Sequence, residues 1–210
     1  MPRKPANQQG DTLKAIQDQA FELFGRYGYE GVSIGDIAKR SKLSKGALYW
    51  HFQGKEALFL DCLERLHAVF EHHIFVPMRA HAEPAQAIFA LFQGLERFLA
   101  DPLVQSGIAG YWLIPSTPET AEISTAQRRF EQDAVATVQA VLQRAQQVGM
   151  IQLGDDIDDM SRAIISLVEA VVLPLRHQTQ EEVHRLLRVL ARTLFRAYAA
   201  PELLKLTENF

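Results

Sequence analysis

Residues 33 to 55 hold two short helical patterns, each opened by a serine and set one tight turn apart: Ser33-Ile-Gly-Asp-Ile-Ala-Lys-Arg, then Ser41-Lys-Leu, then Ser44-Lys-Gly-Ala-Leu-Tyr-Trp-His-Phe. Helices this short and this closely joined can bury an apolar face only by crossing one another, which is the layout of a helix-turn-helix. Ser33 is an N-cap residue, and Asp36, three positions on, reaches back to its N–H in the manner of a capping box. Ile34, Ile37 and Ala38 share a face at helical spacing and are expected to point inward. Ser41-Lys42-Leu43 forms the turn, and Ser44 caps the second helix.

The 3.6-residue period assigns the faces of that second helix. Leu48 and Phe52 lie four apart and pack on a small core. Lys45 and Tyr49, with Gly46 and Trp50 beside them, cover the opposite half of the cylinder. A helix that meets a DNA groove has use for such a face. Lys45 pairs with phosphate or with the acceptor edge of guanine, and Tyr49 donates its hydroxyl to phosphate. Gly46 lets the backbone come close, and the free N–H groups of the first turn favour an anion. Outward tyrosine and tryptophan also occur at protein interfaces, so the residue pattern alone leaves both readings open.

Residues 11 to 60 resemble the DNA-binding domain of the TetR family of bacterial transcription regulators. The resemblance runs through Ile16, Ala20, Leu23, Phe24, Gly28, Ser33, Ile37, Ala38, Leu43 and Ser44. It is most specific in Gly46-Ala-Leu-Tyr-Trp-His-Phe52 followed by Lys55-Glu-Ala-Leu58. It implies that Ser33 and Tyr49 touch phosphates, that Lys45, Gly46, Ala47 and Trp50 lie nearest the bases, and that His51 and Lys55 hold the DNA backbone. Ser44, at the start of the reading helix, belongs to the same set. Helical projection, by contrast, puts His51 nearer the core edge, where it would be a packed histidine. One departure stands out: Ser41-Lys42 replaces the Ala-Gly pair that the family often carries, so Lys42 has to accept a turn geometry that glycine adopts freely.

The charge balance agrees with a head that meets phosphate. Residues 1 to 56 carry nine Lys/Arg and six Asp/Glu, a charge of +3, and the remainder of the chain carries −6. Residues 1–10, with Arg3 and Lys4, are expected to be a disordered basic arm, 11–56 the helix-turn-helix domain, and 57–210 a helical ligand-binding and dimerisation domain. A chain of 210 residues is long enough for this division. The start lacks an apolar signal region and no run approaches a membrane span, so a cytoplasmic protein is expected. The single cysteine, Cys62, sits among leucines and reads as a buried structural thiol rather than a redox sensor.

The whole chain reads as all-α. A long helix from about Lys55 to near Pro77 links head to body, Pro84 opens a helix that Asp101-Pro102 stops, and another long helix runs from Ser116 to a C-terminal cap at Gly149. Two final helices span roughly 155–173 and 179–199. Met78, Phe89, Phe92, Phe98, Tyr111 and Trp112 suggest an apolar or aromatic ligand pocket, although each is also a fitting core residue. The final pair carries more apolar surface than one small body needs. Ile164, Leu167, Val168 and Val171 on one helix, with Leu187, Leu190, Leu194 and Tyr198 on the other, are expected to build a four-helix dimer interface.

No catalytic serine motif, zinc-protease motif, phosphate loop or CxxC pair is present, so an enzyme is not expected and neither is a cofactor or metal. The adjacent His72 and His73 point about 100° apart on a helix, and Asp155-Asp156-Ile-Asp158-Asp159 reads as a helix N-terminus rather than a cation site. The expected function is a ligand-responsive repressor. A homodimer binds a palindromic DNA operator and is released by a small hydrophobic or aromatic effector. Two other classes fit the residues less closely: an architectural protein that binds DNA without sequence choice, and a small-molecule-binding protein with a vestigial DNA-binding head.

Overall fold

Serine caps and glycine stops set most of the helix boundaries. The computed structural model of the chain describes residues 6–152, 156–198 and 200, and among these the regular structure is helical, without a sheet. The helices are α1 (Ala6–Tyr27), α2 (Ile34–Arg40), α3 (Lys45–His51), α4 (Lys55–Phe70), α5 (Val76–Ala80), α6 (Pro84–Ala100), α7 (Pro102–Gln105), α8 (Ala121–Gln147), α9 (Ile157–Leu175) and α10 (Gln180–Tyr198). Short 3-10 turns occupy Ala109–Trp112 and Pro118–Thr120. Gly28 and Gly149 follow α1 and α8 in the left-handed region, with φ of 73° and 71°. After α8 the N–H of Met150 bonds the carbonyl of Ala145, and that of Gly149 bonds Gln146, which satisfies two carbonyls the helix leaves open. Helix α1 begins at Ala6, so part of the stretch expected to be a disordered arm is helical; Arg3 and Lys4 lie outside the described residues.

Two compact units emerge. One combines Met1–His67 with Gln105–Arg128, and the other Ala68–Val104 with Arg129–Phe210. This departs from a boundary at residue 56, because residues 105–128 join the N-terminal helices instead of the body. The reason is visible in the packing. Gly25 and Gly110 carry no Cβ where α1 meets the 107–110 backbone: a Cβ on Gly110 would lie 2.0 Å from the Phe24 carbonyl oxygen. The Tyr111 hydroxyl then donates to the Phe21 carbonyl at 3.1 Å. Its ring packs 5.1 Å from Phe21 and 5.2 Å from Phe59, and Phe59 makes edge contacts with Phe24 and Tyr29. Ile16, Phe24, Ile37, Leu48, Leu58 and Leu63 complete this core.

In the second unit the helix that continues from α4 contains one π turn, Glu71–Phe75, in which the Val76 N–H bonds the Glu71 carbonyl. Pro77 follows and has no N–H to give back to residue 73. The carbonyl of His73 instead accepts from the Arg97 guanidinium at 3.2 Å. Gly94 makes this approach possible, since a Cβ there would meet the His73 oxygen at 2.5 Å. The His73 ring pairs with Asp101 at 3.0 Å. Phe70 stacks on Phe98 with ring centroids 4.0 Å apart, and Phe130 on α8 flanks both Phe70 and Phe75. At the end of α10, the N–H of Ala200 bonds the Met150 carbonyl and that of Gln152 bonds the Tyr198 carbonyl, pinning that helix to the loop after α8.

Candidate nucleic-acid interface and effector cavity

The turn between α2 and α3 is built from local hydrogen bonds. The Ser33 hydroxyl accepts from the Asp36 N–H at 3.1 Å, and the Asp36 carboxylate accepts from the Ser33 N–H at 2.9 Å, closing the capping box. These bonds from Ser33, with help from Lys39 and Lys45 nearby, hold the Asp36 carboxyl below the usual carboxylate range. Helix α2 ends in a Schellman motif: Leu43 N–H to Ala38 carbonyl at 2.9 Å and Lys42 N–H to Lys39 carbonyl at 3.2 Å. The left-handed residue of this motif is Lys42, with φ of 57°. A lysine therefore adopts the glycine geometry without changing the turn. Ser44 caps α3 by accepting from the Ala47 N–H at 3.2 Å.

Helix α3 is anchored by Leu48, which is 1% exposed, while Tyr49 and Trp50 are 58% and 69% exposed. Lys45 and Gly46 are exposed as well, so these four residues share one open side of the helix within this unit. The Lys45 side chain lies back over α2, its Cε 3.0 Å from where Gly35 would carry a Cβ. Ser33 and Ser44 are exposed, and Ala47 is half-buried. His51 is half-buried too, its ring against Trp50 at 4.7 Å. Lys55 sits with its ammonium 4.2 Å from the Tyr29 ring centroid, so its charge also serves packing. Of the neighbouring cations, Arg40 is engaged by Glu22 and Gln19, whereas Lys42 is exposed.

Below this surface, Cys62 is fully buried. Burial first, then the Asp61 carboxylate, pushes its thiol up to about 12, which makes it a poor redox sensor. Among the described residues no group of three or more His, Cys, Asp or Glu side chains is placed to hold a metal. Asp156 caps α9 by accepting from the Asp158 N–H at 2.7 Å, an ordinary helix start; Asp155 lies outside the described residues.

The second unit holds an apolar cavity of about 80 Å³ between α5, α6, α8, α9 and α10. Met78 and Phe92 line it, as the sequence suggested, together with Val138, Met160, Ile164 and Leu194. The other candidates are corrected. Phe98 is stacked in the core on Phe70. Phe89 faces an outer groove. Tyr111 and Trp112 belong to the other unit, where the glycine-mediated docking on α1 carries them. The expected dimer stripe is also redistributed. Val168 and Leu187 are buried within one protomer, Ile164, Leu194 and Tyr198 line the cavity, and Leu167, Val171 and Leu190 are half-buried. The apolar residues of α10 that face outward are Leu186 and Val189, 43% and 57% exposed. Sequence periodicity detects both stripes but does not tell which one a neighbouring helix covers.

Residues 16–62 match the family described as bacterial regulatory proteins, tetR family. The HTH-type transcriptional regulator AcrR of Shigella flexneri is 39% identical over 64 residues, 30% of this chain and 30% of that protein. The negative transcriptional regulator IcaR of the Staphylococcus aureus biofilm operon icaADBC is 31% identical over 104 residues, 50% of this chain and 54% of that protein. The match thus spans about half or less of each of these relatives. Among solved structures, the SmeT–triclosan complex superposes with a TM-score of 0.72 at 19% identity, covering 91% of this chain and 93% of that one.

Proposed function

Given that the chain belongs to the tetR family of bacterial regulatory proteins, we propose that it is a transcriptional repressor that binds a palindromic operator as a homodimer and is released by a small apolar effector. The observation that carries this reading is the open side of α3, where Lys45, Gly46, Tyr49 and Trp50 stand exposed around a capped helix start. A helix N-terminus flanked by a cation and a phenol suits phosphate and base edges together. Two copies on a two-fold axis would read half-sites about one helical turn or more apart. The outward Leu186 and Val189 of α10 suit the subunit contact better than Val168 and Leu187, which one protomer already buries. The apolar cavity suits an uncharged effector, in keeping with the triclosan held by the structurally similar SmeT. Such a ligand acts only through its different affinity for the two shapes of the dimer. No helix among the described residues is long and apolar enough to cross a membrane, which accords with work at cytoplasmic DNA.

The test is selection of bound sequences from a random duplex library, followed by titration of the winning duplex. A specific repressor enriches one palindrome and weakens steeply with salt. Lys45→Ala and Tyr49→Phe should each weaken operator binding, Lys45→Ala by roughly 5- to 150-fold, with the fold unchanged by circular dichroism. Equal affinity for random and selected duplexes, or no loss in either variant, would overturn the reading. Sedimentation showing a monomer at micromolar concentration would remove the dimer.

A further inference from the structure

The apolar cavity is small for an effector. A cavity of about 150 Å³ is what an engineered protein needs to hold benzene, and ligand sites for drug-sized molecules run to about 300–1,000 Å³; this one offers about 80 Å³. Next to it, on the α6 and α10 side of the same unit, lies an open groove of about 700 Å³. Phe92 lines both spaces. It is 6% exposed, packs with Ala191, and together they form the partition between the two. The groove has an apolar floor, with Leu187 and Ala191 buried beside Phe92, and a polar rim. On that rim the His184 ring and the Glu96 carboxylate pair at 2.7 Å, with Gln93 and Arg188 beside them. The cavity has an almost wholly apolar lining.

We propose that cavity and groove are the two halves of one effector site, joined when the Phe92 ring swings aside, and that the site takes an amphiphile with an apolar tail and an uncharged, hydrogen-bonding head. The tail enters the cavity and supplies the transfer free energy. The head stays on the rim. An ionised head of either sign would meet a like charge there as well as an opposite one, since Glu96 and Arg188 share it. A hydroxyl both donates and accepts, so the carboxylate, the amide and the imidazole can all serve it. Phe92 thus controls entry. This inference rests on the reading of the apolar cavity as the effector site.

The probes are 4-ethylphenol, 4-butylphenol and 4-hexylphenol, titrated calorimetrically into the full-length protein. One binding event per protomer is expected, with affinity rising about fourfold per methylene until the cavity is full. Glu96→Gln combined with His184→Ala should weaken all three probes by a common factor of about tenfold and leave the methylene increment unchanged. Phe92→Leu should favour the longest probe most. Ile164→Phe, which fills the cavity from a half-exposed position, should abolish the methylene increment. Thermal melts establish that each variant is folded. Loss of binding in Ile164→Phe with no effect of the rim double variant overturns the two-part site and leaves the cavity reading standing. Binding that ignores Ile164→Phe, or no binding of any probe to either wild type or Phe92→Leu, overturns both. Two independent binding events per protomer overturn the joined site alone.

Discussion

The carbonyl oxygen of Gly107 lies 1.9 Å from the point where Gly25 would carry a Cβ. Neither side of this contact is a flexible side chain, so Gly25→Ala must separate α1 from the 107–110 segment. The expected cost is about 1–3 kcal/mol, as for other overpacked sites, read as a lower thermal midpoint. Gly54→Ala is the control: nothing lies within 4 Å of its added Cβ, and its midpoint should hardly move. Equal behaviour of the two variants would contradict the close docking.

Lys42 occupies the left-handed position of the turn at φ of 57°. Non-glycine residues there cost about 1–2 kcal/mol, partly offset because glycine raises the entropy of the unfolded chain by about 0.5–1 kcal/mol. Lys42→Gly should therefore stabilise the protein by roughly 0.5–1 kcal/mol, measured as a higher urea midpoint with an unchanged slope. A destabilised variant would mean that the lysine side chain makes a contact worth more than the strain.

Burial lowers the His67 imidazole to about 4. The unfolded chain, whose histidine titrates near 6.5, binds the proton more readily between these values. Stability is thus fully present above about pH 6.5, falls as the pH drops toward 4, and levels off below that. The total is on the order of 3 kcal/mol. Urea midpoints at pH 7 and pH 4.5 should differ clearly in the wild type and differ less in His67→Leu. An identical pH slope in both would assign the acid sensitivity elsewhere.

The buried thiol of Cys62, held up to about 12, should resist alkylation. Iodoacetamide at pH 8 is expected to label it only on the timescale of unfolding, and rapidly once urea is added. Fast labelling of the native protein would show that the α1–α4 packing opens more readily than the structure implies.

Features that depend on near neighbours in the chain were legible. Ser33 with Asp36, Ser44 and Gly149 all cap helices as their residue types require, because a cap needs partners only three or four residues away. The open face of α3 was legible for the same reason, as Leu48 and Tyr49 fall on opposite sides of a regular helix. What depends on distant contacts was not. Tyr111 has the same aromatic character wherever it packs, and only the glycine contacts of Gly25 and Gly110 decide that it joins α1. Val168 and Leu187 look as suited to a subunit interface as Val189, since period alone does not say which stripe its own protomer has already covered. The groove beside Phe92 involves α6 and α10, far apart in the chain, and left no local mark.

The π turn at Glu71–Phe75 has a consequence for how this helix can vary. It holds one more residue than an α turn, so removing any single residue from it would rotate everything before it by about 100° against everything after it. Phe70, now stacked on Phe98, and Met78, now in the cavity wall, could then no longer both face inward. Length at this point is therefore as tightly constrained as composition: a one-residue deletion here should be less tolerated than most substitutions in the same turn, even though His72 at its centre is exposed to water.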